Sequence, residues 1–123
     1  MKKHNTRKRI ARIFRRYVRL GLGRGGLTPH EVCGRIWGYC GDVETAKDVF
    51  AMWETFRVLE IEGRRDAIVA FFCIYVRRDA WRDDTDTKIL KYSFDNFCDA
   101  RTVYRRLSYF ENKYTALRKS LDY

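Results

Sequence analysis

The residue types best suited to recognition chemistry crowd into one stretch near the C-terminus, CDARTVYRRLSYFENKYTALRKSL at 98–121. A helix is expected to start at Asp99, because an aspartate there accepts hydrogen bonds from the unpaired N–H groups of the first turn. The first turns then carry Arg101, Thr102, Tyr104, Arg105, Arg106 and Ser108. A guanidinium can bond guanine O6 and N7 together, and Thr, Ser and Tyr hydroxyls can bond bases or phosphates. The free N–H groups at a helix start add a place for a phosphate. The plain alternative is an amphipathic helix whose arginines face only water.

A second concentration sits at the other end. Residues 1–25 contain ten Lys or Arg and no acid, while the rest of the chain balances its charges. The formal charge of +10 therefore lies wholly in the N-terminal segment. Such a block suits a polyanion: DNA, RNA or an acidic membrane face. Lys3, Arg7, Lys8, Arg9, Arg12, Arg15, Arg16, Arg19 and Arg24 are the candidate contacts. Ile10, Ile13, Phe14, Tyr17 and Val18 recur at helical spacing among them. A basic amphipathic helix can lie on anionic lipid. This apolar face is narrow and holds no Trp, so nucleic acid is the expected partner and no membrane is.

Catalytic and metal chemistry find little here. Four cysteines, at 33, 40, 73 and 98, form no CxxC pair, and the two histidines are His4 and His30. Zinc sites need close ligand pairs, so buried reduced thiols are expected instead. GLGRGGLT lacks the lysine and the preceding strand of a phosphate-binding loop. DDTD at 83–86 could hold Mg²⁺ but reads as a solvated turn. No Cys–His or Ser–His–Asp set is apparent, and neither enzyme activity nor a cofactor is expected. The longest apolar run, AIVAFFCIYV, has ten residues and is too short to cross a bilayer. The basic start lacks the apolar run of a signal peptide, and an intracellular, reducing compartment is expected.

The elements that must hold these residues are helical. GLGRGG at 21–26 suggests a flexible hinge after the basic arm. Thr28, Pro29 and Glu31 make a capping box with proline at the first helical position. Val32, Cys33, Ile36, Trp37 and Cys40 form the stripe of that helix, which Gly41 ends. Asp42 caps the next, with Val43, Ala46, Val49, Phe50, Trp53, Phe56 and Val58 or Leu59 three and four apart, up to Gly63. Residues 66–78 would also suit a strand, but their helical neighbours favour a helix buried on most sides. Thr87 is expected to cap a short helix through Phe97. Trp37, Trp53 and Trp81 are expected in the core, and Tyr109, Phe110 and Tyr114 in core or dimer contacts.

The last two helices have helix-turn-helix proportions, with the second placed to enter a major groove. Tyr92 and Ser93 would face inward, Phe97 and Cys98 would close the turn, and Val103 and Leu107 would anchor the recognition helix. Asp99, Arg101, Thr102, Val103, Tyr104 and Arg105, preceded by KILKYSFDNFC, resemble the C-terminal helix-turn-helix of small sigma-factor-like regulators of the ArpU and RinA kind. These occur in bacteriophages and mobile elements of Gram-positive bacteria. The resemblance covers roughly residues 43–121 and is specific over 98–107.

The reading is an all-α small helical bundle of about five helices. Residues 1–26 form the basic arm and glycine hinge, and 27–123 the helical domain with its helix-turn-helix at about 87–121. The resemblance implies a sequence-specific DNA-binding transcription regulator of phage or mobile-element origin, in the cytoplasm of a bacterial host. The alternative is a phage-encoded inhibitor or adaptor of a host nucleoprotein machine such as RNA polymerase or a CRISPR effector. Expected partners are double-stranded DNA, then RNA polymerase or another such complex, and a second copy as homodimer.

Overall fold

A computed structural model describes residues 2–23, 26–76 and 85–122. They form six α-helices and a π-helical turn, with no strand among them. In chain order these are α1 (Lys2–Arg19), α2 (Pro29–Tyr39), α3 (Val43–Ile61), α4 (Arg65–Phe71), the π-helical turn (Phe72–Val76), α5 (Thr85–Asp95) and α6 (Ala100–Ser120).

Local chemistry places most of the boundaries. The Glu31 N–H donates to the Thr28 hydroxyl while the Glu31 carboxylate accepts from the Thr28 N–H, and Pro29 needs no partner for its nitrogen. Asp42 and Asp99 accept from the N–H groups of Thr45 and Thr102, at 2.7 and 2.8 Å. Each carboxyl is held below its usual range, first by that backbone donor. Gly63 leaves α3 at φ 72°, where a side chain would meet its own backbone. The 66–78 segment is helical as expected where described, but it passes from α4 into a π-helical turn. Val69 and Phe72 stay exposed, so it is buried on fewer sides than expected. Residues 77–84, including Trp81 and the first half of DDTD, lie outside the described residues. Thr87 does not cap α5; it lies inside a helix that already begins at Thr85.

One apolar core joins every helix. Phe71 and Phe110 stack at 4.2 Å, tying α4 to α6. Phe56 of α3 stacks on Tyr17 at 5.2 Å and lies 5.3 Å from Phe14. Burial pushes the Tyr17 phenol up to about 12. Tyr109, Phe110 and Tyr114 lie in or against this core, as their spacing suggested. Trp37 does not: it is 59% exposed, because α2 meets the bundle along Val32 and Ile36.

The basic N-terminal segment, expected as an arm beside the helical body, packs on the same core. Ile10, Ala11, Phe14 and Tyr17 of α1 are buried in it, and Leu22 follows them at 2% exposure. The Leu20 carbonyl accepts from the Arg35 guanidinium, which lies so close to Gly21 that a Cβ there would meet it at 2.8 Å. Among the described residues, α1 and the turn after it thus pack against the bundle, while Arg24 and Gly25 of the expected hinge lie outside the described residues.

Candidate nucleic-acid interface

α5 and α6 meet through the side chains expected to face inward. Tyr92 and Ser93 are buried, as are Val103 and Leu107 beneath the start of α6. The Ser93 hydroxyl donates to the Ile89 carbonyl at 2.7 Å, so burial leaves it satisfied. Burial raises the Tyr92 phenol, against the pull of Arg106. The turn between the helices is a Schellman motif: the Cys98 N–H reaches the Ser93 carbonyl at 3.1 Å and the Phe97 N–H the Phe94 carbonyl at 3.5 Å. This motif requires a left-handed residue after the helix, and Phe97 supplies it at φ 54°. Phe97 and Cys98 thus close the turn as expected, through their backbone, while the Phe97 ring stands outward, 97% exposed.

The first turns of α6 divide by neighbour. Arg101 and Arg105 are exposed and form no ion pair among the described residues. Tyr104 stands between them, also exposed, and Thr102 is half-buried beside the cap. Arg106 turns to the other flank, 3.5 Å from Asp66. Ser108 is not free either: it accepts from Arg7 at 3.0 Å. Both are engaged within the chain, where their flanks of α6 meet α4 and α1.

α1 sorts its cations the same way. Arg7 is buried at 6% exposure and donates to Glu111 at 3.0 Å. It holds α1 to α6. Arg9 lies 3.5 Å from Asp48. Lys8, Arg12, Arg15 and Arg19 follow at intervals of four, three and four, which aligns them on one exposed stripe. None of the four, nor the exposed Arg16, forms an ion pair among the described residues. The Lys3 side chain and Arg24 lie outside the described residues.

The stripe continues onto a residue the spacing alone did not single out. Arg15 donates to the Tyr75 carbonyl at 3.5 Å, and the Lys88 ammonium stands 5.1 Å from the Tyr75 ring. Tyr75 thus brings α1 and α5 cations together. Only the KILK spacing of Lys88 and Lys91 on α5 hinted at this. No group of His, Cys, Asp or Glu suited to a metal occurs among the described residues, and no described helix is long and apolar enough to cross a membrane.

Other cations are already engaged. Arg118 donates to Asp48 at 2.7 Å, to Asp122 at 2.8 Å and to Glu44. Burial works against its charge, yet the three carboxylates more than offset that and its guanidinium is held above its ordinary value. Lys113 pairs with Glu62 at 2.8 Å, and Arg64 lies 3.9 Å over Tyr109. Comparison with protein-family models, curated proteins and solved structures returned no match to this chain.

Proposed function

We propose that the protein binds double-stranded DNA through the α1 stripe and the first turns of α6, as a transcription regulator of phage or mobile-element origin. One observation carries this reading: cations elsewhere are mostly ion-paired, while the described part of α1 and the first turns of α6 present seven that are not. They are Lys8, Arg12, Arg15, Arg16, Arg19, Arg101 and Arg105. The α1 stripe suits a phosphate backbone, where affinity comes from counterion release and not from sequence. Arg101, Arg105 and Tyr104 open a helix whose N-terminal end suits base edges and a phosphate. The resemblance over 98–107 agrees with that division of labour.

The experiment is a salt-series titration of the full chain against its upstream duplex, a scrambled duplex and a single-stranded RNA. Deleting residues 1–25 is not a clean control, since it removes core side chains. Surface substitutions replace it. Lys8, Arg12, Arg15 and Arg19 together changed to Ala should weaken binding to every duplex alike. Arg101→Ala should cost about 1–3 kcal/mol on the preferred duplex and relax the preference there. Equal binding to all three ligands, unaffected by Arg101→Ala, would transfer the reading to a polyanion grip on a host nucleoprotein complex such as RNA polymerase or a CRISPR effector.

A further inference from the structure

Phe97 and Phe94 are the two most exposed large apolar side chains among the described residues, at 97% and 84%. They stand near the end of α5 and in the turn before α6, and with Asp95 and Asp99 they border an open hollow of about 630 Å³. Two features of this tip run against local stability. Phe97 holds the left-handed position that closes a Schellman motif, where glycine is favoured and a bulky side chain is strained. Asp95 puts a carboxylate on the last residue of α5, at the negative end of the helix dipole, and forms no ion pair among the described residues. Local costs of this kind persist where function requires them.

The neighbouring groups say what the hollow suits. Arg101 and Arg105, which form no ion pair among the described residues, follow on the first turns of α6. The Asp99 carboxyl is lowered first by the Thr102 N–H that it caps and further by the charges of Arg101 and Arg105, so both guanidinium groups lie on its side of the hollow. Aromatic faces beside free guanidinium groups suit an unstacked base whose flanking phosphates the arginines neutralise. Of the two carboxylates, Asp99 is occupied by the cap at 2.8 Å, which leaves Asp95 to accept from the edge of a base. A carboxylate accepts from the cytosine N4 amino group, where thymine carries an oxygen.

We propose that the hollow bordered by Phe94 and Phe97 holds one unstacked, amino-bearing base of the bound nucleic acid, with Phe97 as the stacking surface and Asp95 accepting from the amino group. This rests on the DNA binding proposed above and adds a local opening of the duplex to it. Unstacking a paired base is costly, and a base already unpaired spares that cost.

The test is a titration of the full chain against four forms of the upstream duplex: fully paired, with one extra unpaired cytosine at its centre, with an unpaired thymine there, and with an abasic site there. Unpaired cytosine should be bound on the order of tenfold more tightly than the abasic site, the effect of one base stacked on an aromatic ring. Phe97→Gly should erase that difference while its melting temperature stays the same or rises, so loss of folding is not the cause. Phe97→Tyr should keep it. Asp95→Asn, whose amide can turn a donor or an acceptor to the base, should bring cytosine and thymine together. Equal binding of the cytosine and abasic forms overturns the inference. So does a difference that Phe97→Gly leaves in place, or a preference for cytosine over thymine that Asp95→Asn leaves unchanged. If Arg101→Ala still weakens those same complexes, the DNA reading stands without it. A chain that binds none of the four forms overturns both and leaves the exposed rings to a protein partner.

Discussion

Arg12 and Arg118 are the same side chain in opposite circumstances. Arg118 lies between α6 and the start of α3, with three carboxylates in reach and little water. Arg12 stands on the outer face of α1 with no carboxylate partner among the described residues. The first region spends its charge on holding two helices together, and the second leaves its charge to attract something else. Net charge does not separate these uses. Placement relative to carboxylates does, and Arg7 shows how fine the division is, since it shares a helix with Arg12 and belongs with Arg118.

The largest test breaks the structural side. Glu111→Ala leaves the Arg7 guanidinium buried without its carboxylate and should cost about 3–5 kcal/mol in chemical denaturation. Replacing both partners, Arg7→Met with Glu111→Leu, should recover most of that loss, whereas Arg12→Ala should change stability by under about 0.5 kcal/mol. Next in size is the four-residue stripe. Changing Lys8, Arg12, Arg15 and Arg19 to Ala should flatten the log–log salt slope of duplex binding by about 3–4. An unchanged slope would remove α1 from the interface and collapse the comparison.

Acid titration sharpens the contrast further. Asp42, Glu62, Asp99 and Asp122 all have folded values below their ordinary ones. Each therefore adds stability above its unfolded value that is lost as pH falls through the folded one. Denaturation midpoints should hold from pH 7 to about pH 5 and decline below about pH 4. Asp122→Asn should make that decline shallower. A small gain is expected from Phe97→Gly, which relieves a left-handed side chain and should stabilise the protein by about 0.5–1 kcal/mol.

The helix boundaries were legible because their causes are local. Thr28, Asp42, Asp99 and Gly63 act on N–H and C=O groups within four residues, so their neighbours in sequence suffice. The inward face of α6 followed from spacing for the same reason, and that of α3 in part: Ala46, Val49 and Leu59 are buried, but Val43 is exposed and Ala51, Met52 and Thr55 are buried as well. α1 was only half legible. Its apolar positions predicted a helix with one buried stripe, but Val18 lies outside that stripe and Arg7 inside it. A helical period locates the middle of a buried face and not its edges, which depend on what packs alongside. Without α6 there is no Glu111 for Arg7, and nothing marks it among ten similar cations.

The candidate site shows the same limit. Arg101, Thr102, Tyr104, Arg105, Arg106 and Ser108 look equivalent in order along the chain. On the helix they point in different directions, and only neighbours 40 and 101 residues away decide which are engaged: Asp66 takes Arg106, and Arg7 takes Ser108. The sequence by itself determined an all-helical chain, its caps and the concentration of charge at one end, because backbone hydrogen bonding and charge count are local or additive. Only the tertiary structure decided that the basic helix is part of the core, which arginines remain unpaired, and that Phe94 and Phe97 face outward. Those depend on distances between residues remote in the chain.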